Sequence, residues 1–203
     1  MAVNPAAPTT RETILAVARG RFADQGFAAT RLNDIADEVG IRRPSLLHHF
    51  PSKEALYKEV VLDSFADWVR LVEQATDEPR IGWPQVERVL RAAFTFFEEH
   101  SDFVRLARRE ALDGGPILTD ELAVFLKPLF DRGAAFLQVE MDAGRLKRYD
   151  PRQILLTGYG AVLSYLSDAP LIAGLLDADP MDDASLAARR EHVIAVLRSA
   201  LEP

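Results

Sequence analysis

Apolar residues recur every three or four positions along most of the chain, which is the spacing of one face of an α-helix. The first such series consists of Ile14, Leu15, Ala18 and Phe22. Strict alternation of apolar and polar residues, the pattern of a half-buried β-strand, does not occur. The pattern therefore predicts an all-α chain.

Three short helices are predicted at the N-terminus. Gly26 ends the first and Gly40 ends the second, because glycine accepts the left-handed conformation that closes many helices. Thr30 suits the N-cap of the second helix, where its hydroxyl would accept a main-chain hydrogen bond. The third helix carries Pro44 in its opening turn, where a missing N–H costs little, and Pro51 ends it.

A longer helical body follows this three-helix head. Candidate helices lie at about 52–76, 84–100, 102–112, 118–144, 151–168 and 183–201. Breaks are expected at 79–84, 114–116, 150–151 and 169–180. Pro128 is expected to kink the helix that contains it, because proline removes a main-chain hydrogen bond. We predict an N-terminal arm and head at 1–51 and a body at 52–203, in which 52–76 is the connecting helix.

The composition points to a protein of the cytoplasm. No apolar run approaches the roughly 18 residues of a membrane helix, and residues 1–10 lack the basic flank and apolar core of a signal peptide. The absence of cysteine excludes disulfides, thiol catalysis and cysteine-ligated metal sites. We therefore expect no membrane association.

The charge is distributed unevenly. The chain carries a net charge of −7, yet residues 1–58 hold eight basic and six acidic residues, a charge of +2. The rest of the chain is therefore strongly acidic. A basic head on an acidic body has the sign expected of a DNA-binding protein, although many enzymes are equally uneven.

Residues 30–53 have the layout of a helix-turn-helix: a helix, a turn that contains glycine, and a short helix that opens with two arginines. We place Leu47 and Phe50 on the inward face of the second helix. The remaining face offers groups that can reach base edges and phosphates. The predicted DNA contacts are Thr30, Arg31, Arg42, Arg43, Ser45, Leu46, His48, His49 and Lys53.

Different DNA groups are expected to meet different side chains. Arg43 can pair with guanine or phosphate, and Leu46 can meet a thymine methyl. Ser52 and Lys53 begin the next helix, where main-chain N–H groups and an ammonium can hold a phosphate.

The segment TRLNDIADEVGIRRPSLLHHFPSKEAL, residues 30–56, resembles the DNA-binding signature of the TetR/AcrR transcriptional regulators. The resemblance covers about the first quarter of the chain. It implies an N-terminal DNA-binding head, a helical body that senses a small molecule, dimerisation through the last helices and, as the commoner mode, repression. The implied partners are double-stranded operator DNA, a small effector and a second copy of the chain.

Two departures from that signature concern the reading helix. Leu47 stands where the family most often has a tyrosine that touches the DNA backbone. Arg42 stands where a small N-capping residue is common, and Val39 replaces a frequent alanine. We expect a different operator sequence rather than lost DNA binding.

The body contains many aromatic residues, which either fill its core or line an effector cavity; both interpretations remain open. The cavity interpretation places the walls on the helices near 84–112 and 118–141. The candidate ligand contacts are Phe97, Leu106, Phe125, Leu129, Phe130 and Tyr159. The mechanism would be a population shift toward a conformation whose two heads are wrongly spaced for DNA.

Helices 151–168 and 183–201 are predicted to form the dimer interface, because apolar residues recur on them at helical spacing. The candidate interface residues are Ile154, Leu155, Gly158, Val162, Leu163, Leu166, Val193 and Leu197. Two-fold symmetry would then require a near-palindromic operator.

The same residues bear on the alternatives to a regulated repressor. His48 and His49 lie about 100° apart on a helix, so they rarely bind one metal ion; we predict no metal site and no cofactor. A helical enzyme is disfavoured because no phosphate-binding loop or nucleophile motif occurs. A ligand-independent DNA-organising or partner-binding protein on the same fold remains a second possibility.

Overall fold

A computed structural model of the chain describes residues 8–77, 80–113 and 119–203, with side chains described for all of these except 113–125. Every regular element among the described residues is an α-helix, which confirms the all-α prediction. The helices are α1 (Thr10–Ala29), α2 (Leu32–Val39), α3 (Arg43–His49), α4 (Lys53–Thr76), α5 (Trp83–Glu99), α6 (Ser101–Asp113), α7 (Thr119–Asp142), α8 (Pro151–Ser167), α9 (Ala169–Leu176) and α10 (Asp183–Leu201). The head contains α1–α3, and the body contains α4–α10.

The predicted break at 169–180 is wrong for its first half, which forms α9. Pro170 lies in the opening turn of α9, where proline is tolerated, and α9 is bent by 79° from α8. The predicted helix at 118–144 is confirmed as α7, which runs through Pro128. The expected N-terminal arm includes residues 1–7, which lie outside the described residues. The expected break at 114–116 also lies outside them, as does part of the expected break at 79–84.

The start and end of α1 follow from short-range hydrogen bonds. Thr9 and Glu12 form a reciprocal capping box at its start. Gly26, at φ 79° and ψ 169°, interrupts the helix as predicted. Thr30 was predicted to cap α2 and to contact DNA, and both predictions are wrong. Its hydroxyl donates to the carbonyl of Gly26 at 2.8 Å, and the side chain is only 1% exposed.

The head is held together by one apolar cluster. Four residues are almost fully buried: Phe22 of α1, Ile35 of α2, Leu46 of α3 and Phe50, the C-cap of α3. Tyr57 of α4 joins this cluster, its ring 4.8 Å from that of Phe22. The position of α3 therefore depends on α1, α2 and the start of α4.

Aromatic stacking and ion pairs hold the body together. The ring of Trp68 on α4 lies 4.7 Å from that of Phe97 on α5. Arg91 of α5 binds Glu191 of α10 at 2.6 Å, and Arg190 of α10 binds Glu98 of α5 at 3.0 Å. These contacts fix α10 to α5 within one subunit.

Glu140 is a buried carboxylate near the end of α7. It accepts hydrogen bonds from Arg145 at 2.5 Å and from the amide N–H of Gly82 at 2.7 Å. The bonds from Arg145 hold the pKa of Glu140 below its ordinary value, despite the opposing effect of burial. The carboxylate thereby fastens the start of α5 to the end of α7.

None of the described helices is, by itself, both long and apolar enough to cross a membrane. Only α8 and α9 taken together reach that length and composition, and they do so across their bend.

Candidate nucleic-acid interface

The exposed side of α3 is the candidate reading surface. Arg43, Ser45 and His48 are exposed, and His49 is half-buried. The turn before α3 is set by Gly40, which ends α2 in the left-handed conformation at φ 79°. Arg42 follows this turn as the N-cap of α3, and its side chain makes no cap hydrogen bond. Its guanidinium is thus available to a ligand.

The prediction for Leu46 is wrong, and that for Leu47 needs correction. Leu46 is 0% exposed and belongs to the head core, so it cannot meet a thymine methyl. Leu46 and Phe50 stand four positions apart and share the inward face, whereas Leu47 lies about 100° around the helix and is half-buried. Two adjacent leucines make either of two helix phases compatible with the sequence of α3, and the predicted phase is wrong by one residue.

The arginines of the head fall into two groups. Arg19 and Arg21 bind the carboxylates of Asp63 at 2.9 Å and Glu38 at 2.6 Å, and Arg11 binds Glu59. Within the described part of the chain, the side chains of the other three make no ion pair or hydrogen bond, and all are exposed: Arg31, Arg42 and Arg43. The unpaired arginines flank or begin the two helices of the motif, so phosphates can bind them without breaking an internal contact.

Lys53 lies at the joint between α1 and α4. Its ammonium donates to the carbonyl of Ala28 at 3.1 Å and sits 4.5 Å from the ring centre of Phe27. Ser52 caps α4 by accepting the amide N–H of Ala55 at 3.1 Å. An ammonium carries three N–H donors, so Lys53 keeps donors for a phosphate while it contacts the head.

The rings of His48 and His49 have centres 5.9 Å apart. Over the residues with described side chains, no cluster of three His, Asp or Glu is arranged to hold a metal ion. The exposure of His48 suits a DNA contact.

The candidate effector contacts do not form one group. Phe97 and Leu106 are buried in the core, and Leu129 and Phe130 of α7 are half-buried. The side chain of Phe125 lies outside the described residues. Tyr159 was predicted to face a cavity; instead it is 50% exposed. The structure therefore removes it from an interior wall.

The predicted dimer residues face the interior of their own subunit. Five of them are buried against neighbouring helices: Val162, Leu163, Leu166, Val193 and Leu197. The other three, Ile154, Leu155 and Gly158, are half-buried. The methyl groups of Leu155 lie 3.4 Å from the position that a Cβ on Gly133 would occupy, and a Cβ on Gly158 would lie 3.8 Å from Leu90. Burial within the subunit argues against the five buried residues as interface contacts, because the most apolar face of a helix packs first against its own subunit; the dimer interface itself stays a prediction.

Sequence periodicity missed the apolar residues that are exposed on the last three helices. Leu156 of α8 is 50% exposed, as is Tyr159, one turn along the same side. The others are Leu171, Leu175 and Leu176 of α9 and Val196 of α10. We call these six residues the outer apolar face. Its three α9 residues fall in the predicted break at 169–180, so the signal available on a predicted helix was the pair Leu156 and Tyr159, three positions apart on α8.

Two family models together match most of the chain. The model described as "Bacterial regulatory proteins, tetR family" matches residues 14–60, which include α2 and α3. The model described as "Tetracyclin repressor-like, C-terminal domain" matches residues 84–197.

Individual proteins agree with these matches. The HTH-type transcriptional regulator RutR of Escherichia coli K12 is 28% identical over 193 residues, which span 95% of this chain and 91% of RutR. The HTH-type transcriptional repressor KstR2 of Mycolicibacterium smegmatis is 47% identical over 66 residues, 32% of each chain. A solved structure of the ketosteroid transcriptional regulator KstR2 of Mycobacterium tuberculosis shares the fold, with a TM-score of 0.78, 18% identity and full coverage of both chains.

Proposed function

The chain belongs to the tetR family of bacterial regulatory proteins, and from that premise we propose a repressor that a small, largely apolar molecule releases from its operator. Membership makes it a DNA-binding transcriptional regulator and not an enzyme. We place its action in the cytoplasm, where bacterial operators lie. The ligand-dependent step separates this proposal from a ligand-independent DNA-organising protein.

The observation that carries the proposal is the basic surface of the helix-turn-helix, in which the guanidinium groups of Arg31, Arg42 and Arg43 are exposed and make no ion pair among the described residues. Arg43, Ser45 and His48 project from α3 and are assigned to base edges. Arg31, Arg42 and Lys53 surround them and are assigned to phosphates, which position the head without reading sequence.

Substitution of the reading residues should weaken operator binding. We expect Arg43→Ala and His48→Ala each to lower operator affinity by about 5- to 150-fold, the equivalent of 1–3 kcal/mol, if each reads a base. Fluorescence anisotropy at fixed salt measures the change, and Lys127→Ala removes an exposed body charge as the matched control. Lys53→Ala should weaken specific and non-specific binding alike and flatten the salt dependence. Wild-type affinity in all three head variants would show that another surface reads the operator.

A homodimer is proposed to form through the outer apolar face. Regulators of this family are generally dimeric. The residues of this face lie on three consecutive helices, α8, α9 and α10. A group of exposed apolar residues is unusual for a surface that faces water. A two-fold axis through this face would pair the two heads and call for a near-palindromic operator. This face replaces the buried set that the sequence suggested.

The effector is proposed to bind between α4, α5, α7 and α8. Among these helices, α4 packs on α5 and α7, and α8 packs on the same two. Apolar side chains on all four helices are half-buried rather than fully enclosed, as expected of side chains that line a ligand site. The candidate walls are Trp68, Leu71, Leu90, Leu129, Phe130 and Leu155. The competing interpretation is an ordinary, loosely filled core.

Tryptophan fluorescence can separate the two interpretations. The chain has two tryptophans, so Trp83→Phe leaves Trp68, beside the candidate walls, as the only reporter. We expect apolar compounds that quench Trp68 to raise the melting temperature and to lower operator affinity by about tenfold or more, a coupling typical of allosteric ligands. The compound panel includes a ketosteroid, because the similar KstR2 structure is described as a ketosteroid regulator. Leu90→Phe should reduce the quenching by filling the space. Compounds that stabilise the protein while leaving operator affinity unchanged would contradict the proposal.

A further inference from the structure

Helix α6 contacts the head and the body at the same time. Its apolar side is buried in the body, where the ring of Phe103 lies 4.7 Å from that of Phe65 and 5.5 Å from that of Phe96. Its other side packs along α1 of the head. A shift of α6 would therefore reach the head directly, without passing through the connecting helix α4.

The contact is made where α1 is interrupted. The positive φ of Gly26 ends the regular part of α1, and the last carbonyls before such an end lack donors within the helix. The guanidinium of Arg109 supplies them from α6. Its Nε donates to the carbonyl of Ala23 at 3.0 Å, and its Nη2 donates to the carbonyl of Asp24 at 2.8 Å. A cation at this end of a helix also opposes the negative end of the helix dipole.

The geometry of the joint suits arginine. A guanidinium offers donors in a fixed planar fork, so two neighbouring carbonyls can be bound at once. A Cβ on Gly26 would lie 3.4 Å from Nη1 of Arg109, in addition to requiring an unfavourable φ. The positive φ, more than contact with the guanidinium, therefore favours glycine at position 26.

Two neighbouring contacts on α6 differ from that of Arg109. Arg105 binds the carboxylate of Asp24 at 3.2 Å, but both side chains are well exposed, and such pairs contribute little. Glu110 accepts the hydroxyl hydrogen of Tyr57, whose ring packs against Phe22. Arg109 is also exposed, but it differs from Arg105 because it binds the main chain of α1, which cannot move without moving the whole helix.

We infer that Arg109 is a positioning residue for operator recognition: it sets α1, and through α1 the reading helix α3, relative to the body. The path from α1 to α3 is the head core, to which Phe22, Leu46 and Phe50 all belong, and it runs through α2, which packs on both α1 and α3. This inference rests on the proposed function, because correct placement of α3 matters only for a protein that reads an operator.

The test compares Arg109→Ala, Arg109→Lys and Arg105→Ala in the full-length protein. Arg105→Ala is the matched control, since it removes the same charge from the same helix and the same joint. Affinity is measured for the operator and for a scrambled duplex at one salt concentration. Hydrogen exchange of the segment around 20–29 reports the end of α1 independently of DNA.

Arg109→Ala is expected to lower operator affinity by about tenfold, the effect of losing a charge-assisted pair of hydrogen bonds. Its affinity for the scrambled duplex should stay close to that of Arg105→Ala, and only the Arg109 variant should exchange faster at the end of α1. Arg109→Lys should fall between the wild-type protein and Arg109→Ala.

Equal operator affinity and equal exchange in the two alanine variants would overturn the inference. Faster exchange at α1 with unchanged operator affinity would also overturn it, since Arg109 would then be merely structural. Failure of the wild-type protein to prefer any operator is a separate result, which would count against the proposed function. If Arg109→Ala does not fold, the lysine variant decides by the same two measurements.

Discussion

Replacing Leu156 with aspartate is expected to produce a folded monomer whose operator affinity is lower by about 100-fold or more. Leu156 is half-exposed on α8, so the new carboxylate remains in water within the isolated subunit. In the proposed dimer, however, the same carboxylate would be buried at an apolar interface without a partner, which is strongly unfavourable. Separate heads lose the second, intramolecular binding event, and this loss accounts for two or more orders of magnitude.

A second substitution on α8 separates this result from simple unfolding. Val162 is 2% exposed and packs inside its own subunit, so Val162→Asp buries a charge in every state of assembly. We expect it to abolish cooperative unfolding, whereas Leu156→Asp keeps the wild-type circular dichroism spectrum. Light scattering at micromolar concentration measures the size of each variant. A dimeric Leu156→Asp variant with wild-type DNA affinity would exclude the outer apolar face as the interface.

The contrast between these two positions shows what helical periodicity can establish. Spacing identifies the most apolar face of a helix, and in α8 and α10 that face packs against helices of the same subunit. The apolar pattern of a surface that joins two subunits is weaker in the sequence, because that surface must also remain soluble before assembly. Helices α8 and α10 were therefore predictable, whereas α9 and the side of α8 available to a partner were not.

The helices of the head were predictable because their ends depend on local chemistry. Gly26 and Gly40 both adopt positive φ, and Pro44 lies in the first turn of α3, as the sequence indicated. Thr30 was misassigned because a threonine between two helices can cap the second or close the first. Its hydroxyl closes the first, since the interruption at Gly26 leaves a carbonyl within reach.

The joint at Arg109 could not be predicted from the sequence at all. Ala23 and Asp24 lie more than 80 positions from Arg109 along the chain, and main-chain carbonyls leave no signature in the residue types. Such long-range contacts depend on tertiary packing rather than on local pattern.

The reassignment of Leu46 leads to the second large effect. Leu46→Ala is expected to destabilise the head by about 2–5 kcal/mol, because it removes a fully buried side chain and leaves a cavity beneath α3. Thermal denaturation followed by circular dichroism, with hydrogen exchange of α2 and α3, measures the loss. Operator affinity should fall with it, for every operator variant alike, since α3 loses its support.

Leu47→Ala is the matched control, because it removes the same atoms from the adjacent, half-buried position. It should change stability by less than about 1 kcal/mol, in line with substitutions outside the core. If Leu46 instead contacted a thymine methyl, the results would exchange places: Leu46→Ala would keep its melting temperature and lose its preference at a single base pair. If Leu46 supports α3, Leu46→Ala should lower affinity equally for all operator variants. If Leu46 reads DNA, the substitution should change the preference at one base pair only. Measuring affinity against a set of single-base operator variants distinguishes the two.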